Sequence, residues 1–149
     1  MLEQQLEDDI KAAMLARDSQ KVTILRGLKS ALLNVKVATG KRDSGLTDDE
    51  VLPVLAKEAK KRQESADLYV QGGSQDKADA ELAEKAIIET YLPAKLSEEE
   101  IIKLIDGVIA DTGAAGPQAM GQVIGQVKAK AGPTADGGLI AKLVKEKLV

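Results

Sequence analysis

Apolar residues recur every three or four positions along almost all of this chain, and that spacing constrains its fold most. Leu2, Leu6, Ile10, Ala13 and Met14 form one stripe, and Val22, Leu25, Leu28, Leu32 and Val35 form a second. The interval returns at Ile101, Leu104, Ile105 and Val108, at Met120, Val123, Ile124 and Val127, and at Leu139, Ile140, Leu143, Val144 and Leu148. Such spacing sets residues on one side of an α-helix, whereas a half-buried strand needs strict alternation. No alternation of useful length is present, so the chain is expected to be all-α. Tyr69 and Tyr91 are its only aromatic residues. Leu, Ile, Val and Ala must therefore fill the core, which suits helix packed on helix.

The breaks between stripes follow helix-end chemistry. Asp18 and Ser19 end a first helix near Arg17 and cap a second, about 20–38, which stops at Gly40. Thr47-Asp48-Asp49-Glu50 has the capping-box pattern and opens a third helix reaching about Val70. Pro53 opposes the carbonyl of residue 49, so the regular helix either begins nearer Leu52 or kinks there. Gly72-Gly73 closes it, and a fourth helix runs from Ser74 to Tyr91-Leu92-Pro93. Pro93-Ala94-Lys95 then reads as a joint, because Ser97-Glu98-Glu99-Glu100 is a second capping box. Three C-terminal helices follow: one to Thr112-Gly113, one opening at Pro117 and ending at Gly132-Pro133, and a last one. The expected architecture is a four-helix domain, 1–95, followed by a small three-helix domain, 96–149.

The chain has no histidine and no cysteine. Disulfides, thiol nucleophiles, Cys/His zinc sites and imidazole bases are thereby excluded, and no catalytic residue, metal or cofactor is expected. The first nine residues are acidic and no apolar leader follows; the longest uncharged run, 112–127, is too short and too rich in Gly, Ala and Gln to span a bilayer. A cytoplasmic protein without a membrane partner is expected.

The net charge is −3, but its distribution is uneven. Residues 19–42 hold Lys21, Arg26, Lys29, Lys36, Lys41 and Arg42 and no acid; residues 116–149 hold five lysines against Asp136 and Glu146. Segregated charge can steer an anionic partner to one face of an acidic protein. In the second helix Arg26, Ser30 and Asn34 stand at i, i+4 and i+8, flanked by Lys29 and Lys36. This stripe is either an ordinary solvated face or a recognition surface built on an arginine held in a hydrogen-bond network. Lys57, Lys60, Lys61 and Arg62 are interrupted by Glu58, Glu64 and Asp67, which favours a salt-bridged, solvated face.

Five of the thirteen glycines lie between Met120 and Leu139. Gly121 and Gly125, one turn apart, are expected to let a neighbouring helix approach closely, so that leucine there would destabilise. Gly132, Gly137 and Gly138 read as stops and turns. The segment from Thr134 to Gly138 also precedes a helix whose amides can receive an anion. No Gly-Lys-Ser/Thr follows a strand, so this is not a P-loop.

Three stretches, TILRGLKSALLNVKV, ETYLPAKLSEEEI and AMGQVIGQVKAKAGPTADGGLIAKLVKEKL, resemble the GatB/YqeY family. The resemblance runs nearly end to end and implies an N-terminal helical domain with a small C-terminal one. The family also forms the tail of the B subunit of bacterial Asp/Glu-tRNA amidotransferase, where it is associated with gripping tRNA while the chemistry occurs in a separate cradle. This chain has no room for that cradle. Where stand-alone members commonly read Gly-Arg-x-Asp-Leu, it has Gly73-Ser74-Gln75-Asp76-Lys77, which removes an arginine from the junction of helices three and four. The resemblance and the charge pattern together imply a nonenzymatic tRNA-binding or tRNA-handling module, an accessory to an amidotransferase. Its candidate contacts are Arg26, Lys29, Ser30 and Asn34 on the second helix, and Lys128, Lys130, Lys142 and Lys145 near the C-terminus. A helical protein–protein adapter is the alternative; with tyrosine so scarce, base stacking is not expected.

Overall fold

The computed structural model describes residues 1–132 and 135–149 and, among these, contains α-helices and no strand. The chain divides into two compact units, Met1–Pro93 and Ala94–Val149. In the first unit are α1 (Leu2–Leu15), α2 (Ser19–Thr39), α3 (Asp48–Gln71) and α4 (Gln75–Glu89). In the second are α5 (Glu98–Thr112), α6 (Met120–Ala131) and α7 (Gly137–Leu148), with a single 3-10 turn at Pro117–Ala119.

Each unit is built on the stripes. Leu6 and Ile10 of α1, Leu25, Leu28 and Leu32 of α2, Val51, Leu55 and Ala59 of α3, and Ile88 and Tyr91 at the end of α4 form one core. Ile101, Ile105 and Val108 of α5, Val123 and Val127 of α6, and Ile140, Leu143, Val144 and Leu148 of α7 form the other. Leu92 packs on the first core and Leu96 on the second, leaving Pro93, Ala94 and Lys95 between the two anchors.

The helix ends show what the caps do. Ser97 accepts from the Glu100 N–H at 3.2 Å while the Glu100 carboxylate accepts from the Ser97 N–H at 2.8 Å, a complete capping box. Thr47 makes only half of one: its hydroxyl accepts from the Glu50 N–H at 3.3 Å, but the Glu50 carboxylate is taken by Lys41. That lysine holds the Glu50 carboxyl below its ordinary value near 4.5, while the second oxygen of Glu50 is buried without a partner. Gly40 and Gly113 stop α2 and α5 in the left-handed region, at φ +70° and +64°. The ends of two helices refine the expectations. The first helix ends at Leu15, and Arg17 itself turns the chain at φ +57°. The third helix starts at Asp48, directly after the Thr47 cap as the capping-box pattern implied, and of the two alternatives at Pro53 the later start near Leu52 is not taken: the proline lies inside the helix. Pro133 and Thr134, named above in the stop of α6 and the approach to α7, lie outside the described residues.

The expected glycine contact is also corrected. A Cβ built on Gly121 or on Gly125 meets nothing within 4 Å, and both residues are exposed. Val123 and Val127 turn into the core, which sets the two glycines on the opposite side of α6. No neighbouring helix requires them to be small.

The first unit's hairpins differ in reach. The Leu2 N–H donates to Asp48 Oδ1 at 2.8 Å, so α1 and α3 start level. They run in the same direction, since Leu6 and Ile10 share a core with Val51 and Leu55. α1 has 14 residues and α3 has 24. At about 1.5 Å per residue, α3 overshoots the α1–α2 turn by roughly 15 Å. Beyond Ala59 no residue of α3 belongs to the core; Ala66 and Ala78 are the buried residues of the projecting hairpin, small enough for α3 and α4 to lie close.

Candidate nucleic-acid interface

On α2, Arg26, Ser30 and Asn34 do lie on one exposed face. The expected network around Arg26 is absent among the described residues. Its guanidinium reaches only the Met14 thioether, 3.6 Å away, and no hydrogen bond joins it to Ser30 or Asn34. The flanking lysines are engaged by α1. Lys29 pairs with Glu7 at 3.2 Å, and Lys36 pairs with Glu3, whose other oxygen accepts from the Leu46 N–H at 2.6 Å. Six cations without an acid in residues 19–42 therefore do not make a six-cation surface. The acidic start of the chain lies alongside them, and of the three cations of this stripe Arg26 has no carboxylate partner among the described residues.

The basic run on α3 is salt-bridged only in part: Lys61 pairs with Glu58 at 3.1 Å and Arg62 lies 3.3 Å from both Glu81 and Glu84 of α4, whereas Lys57 and Lys60 are exposed and, among the described residues, have no carboxylate within 4 Å. Glu3, Glu7, Asp8 and Asp9 line an open depression on α1 that would repel a phosphate. Among the described residues no group of three carboxylates is placed to hold a metal ion.

The second unit also leaves lysines without an acid among the described residues. Lys130 approaches Asp111 only at 3.9 Å, and Lys147 pairs with Asp106 at 3.1 Å. Lys128, Lys142 and Lys145 are exposed and have no carboxylate within 4 Å among the described residues. Lys142 and Lys145, three apart on α7, share a side of that helix. Lys128 reaches from α6 to the start of α7, where its Cε and Nζ both lie 3.1 Å from the point a Gly137 Cβ would occupy. The amides there already have an acceptor: Asp136 Oδ1 takes the N–H groups of Gly138 at 2.8 Å and Leu139 at 3.4 Å. The expected anion seat at the start of α7 is thus occupied by the chain's own carboxylate. A phosphate would meet ammonium groups rather than free backbone amides.

Sequence reasoning missed one side chain of consequence, Tyr91. Its hydroxyl donates to Asp9 Oδ2 at 2.5 Å, and the ring is 7 % exposed. Burial and the adjacent carboxylate push the phenol well above its ordinary value. This bond ties the end of α4 to α1.

The family model described as "Yqey-like protein" matches residues 3–148. The protein named "Altered inheritance of mitochondria protein 41, mitochondrial" from Eremothecium gossypii is 30% identical over 106 residues, 70% of this chain and 57% of that protein. Its namesake from Kluyveromyces lactis is 29% identical over 131 residues, 86% of this chain and 70% of that one. A third, from Clavispora lusitaniae, is 33% identical over 98 residues, 64% of this chain and 55% of its own. The chain thus spans little more than half of the first relative. The mitochondrial location is said in the names of those proteins; in this one, no helix among the described residues is long and apolar enough to cross a membrane.

Proposed function

The chain belongs to the YqeY-like family, and from that premise we propose that it is a nonenzymatic module that binds or handles tRNA through phosphate contacts. The observation that supports this most is the trio of exposed lysines on the second unit, Lys128, Lys142 and Lys145, which have no acidic partner among the described residues. Lys130 adds a weakly held fourth cation, and Arg26, with Ser30 and Asn34, gives a second contact region on α2. Lys29, paired with Glu7, would have to exchange partners to join it. Two separately folding domains, 1–95 and 96–149, are part of this reading, as is a cytoplasmic location. A link to an amidotransferase rests on the family resemblance alone.

The test is a salt-titrated binding assay of the full chain against total tRNA. Each neutralised phosphate releases condensed counterion, so three lysine contacts give a log–log slope of about −2 to −3. Affinity should fall roughly 20- to 60-fold between about 50 and 200 mM salt. Lys128→Glu with Lys142→Glu should weaken all tRNAs about equally, because phosphate contacts position without reading sequence. Arg26→Ala tests α2 independently. Salt-insensitive binding would reject the mechanism, and no binding at low salt would favour the helical protein–protein adapter.

A further inference from the structure

We infer that Met14 is a site of reversible oxidation by peroxide, and that its sulfoxide takes hold of the Arg26 guanidinium. Met14, in the last turn of α1, is 52% exposed and takes no part in the first unit's core. Its sulfur lies 3.6 Å from Arg26 Nη2 on α2. Among the described residues that thioether is the only hydrogen-bond partner of the Arg26 side chain, and no carboxylate pairs with it. A thioether is a weak acceptor, so the guanidinium is held loosely. The lysines of the same stripe differ: Lys29 and Lys36 are tied to Glu7 and Glu3. One oxygen atom added to the sulfur changes the acceptor offered to the arginine and leaves those lysine pairs as they are.

The chemistry is an oxygen-atom transfer. A sulfur lone pair attacks one oxygen of hydrogen peroxide and the O–O bond breaks. The departing hydroxide takes the proton of the transferred oxygen and leaves as water; sulfur loses two electrons and the peroxide gains them. The product is a polar sulfoxide, which sulfoxide reductases return to the thioether. The distance suits that product. A sulfur–oxygen bond of about 1.5 Å and a charge-assisted hydrogen bond of about 2.8 Å, meeting at roughly 120°, put the sulfur about 3.8 Å from the donor nitrogen. The sulfur stands at 3.6 Å, so the bond forms with almost no movement of either helix. The other two methionines lack this setting: Met120 is partly buried against the second core, and Met1, 85% exposed, has no cation bonded to its sulfur among the described residues. Once the sulfoxide forms, one guanidinium N–H is committed to α1. An anion approaching Arg26 beside Ser30 and Asn34 must then displace that bond. For tRNA this consequence rests on the α2 contact proposed above; the oxidation and the bond do not.

The experiment treats the isotope-labelled full chain with hydrogen peroxide. It follows peptide mass spectrometry and the guanidinium NMR resonances of Arg26, assigned by their loss in Arg26→Lys. Met14 should oxidise roughly fivefold or more faster than Met120, because susceptibility follows exposure. The Arg26 resonances should shift as Met14 sulfoxide accumulates, and a sulfoxide reductase should restore them. Met14→Gln offers a carbonyl oxygen in place of the sulfoxide's and should move the same resonances without peroxide, whereas in Met14→Leu peroxide should leave them unmoved. Met14 is exposed and outside the core, so the oxidised and variant chains should melt within a few degrees of the parent. Met14 reacting no faster than Met120, Arg26 resonances unmoved by complete Met14 oxidation, or an equal shift in the Met14→Leu chain would overturn the inference. In the tRNA assay oxidation and Arg26→Ala should each weaken binding about two- to fivefold, and oxidation should add nothing in the Arg26→Ala chain. If neither changes tRNA affinity, the α2 contact falls and the resonances still decide the fate of Met14.

Discussion

Replacing Gly121 and Gly125 by alanine should stabilise the second unit. An added methyl at either position meets no atom within 4 Å, so there is no steric cost, and both residues are exposed, so there is no burial gain. What remains is the backbone freedom that glycine loses on entering a helix, roughly 0.5–1 kcal/mol relative to alanine. Gly125 lies in the interior of α6 and should give the full ~1 kcal/mol. Gly121 is the second residue of the helix, where constraint is weaker, and should give about half. Sharing no partner, the two should add to about 1.5 kcal/mol. At about 4–8 °C per kcal/mol for a small domain, the pair raises the melting temperature by roughly 6–12 °C. Differential scanning calorimetry of the full chain, with hydrogen exchange of the α6 amides to identify the transition, measures this. Gly132→Ala is the internal control: at φ +84° a side chain is strained, and that variant should melt lower. If both α6 substitutions lowered the transition, a neighbour would have to occupy the space above these glycines, and the argument from open space would be wrong.

Two further outcomes are expected. Ser97→Ala removes the hydroxyl of a complete capping box and should cost about 1 kcal/mol, whereas Thr47→Ala should cost visibly less because Glu50 is already committed to Lys41; urea denaturation compares the two. In a Tyr69→Phe background Tyr91 is the sole chromophore, and absorbance near 295 nm should show no tyrosinate until the chain unfolds. Its proton is held more tightly in the folded state, so its contribution to stability is complete below the ordinary phenol value of 10.0 and is lost as pH rises above it; Tyr91→Phe should abolish that alkaline loss.

Helix positions were legible because their signals are local. Gly40, Gly113 and Ser97 act within one turn of where they stand, and each ends or begins a helix as its chemistry dictates. The side of α6 that carries glycine was legible too, and was misread: Val123 and Val127 define the buried side, and Gly121 and Gly125 fall opposite them. Pairing between elements was not legible. That Glu7 neutralises Lys29, that Glu3 neutralises Lys36, and that Lys41 draws Glu50 out of its capping box depend on which helix lies alongside which. No spacing rule within one helix contains that information. The overshoot of α3 needed the same knowledge, since helix length predicts projection only once two starts are known to be level.

The hairpins carry a consequence for how the molecule assembles. The helices that pack most extensively on one another are neighbours along the chain: α1 with α2, α3 with α4, α5 with α6, α6 with α7. Chains dominated by such short-separation contacts search little conformational space before finding them, and helical proteins of this kind fold in microseconds to milliseconds. Among the described residues, one side-chain hydrogen bond spans more of the chain than any other. Tyr91 meets Asp9 across 82 residues, a closure whose entropic cost is best met after both hairpins exist. The first unit would then assemble as two preformed arms, with the tyrosine fastening one to the other at the end.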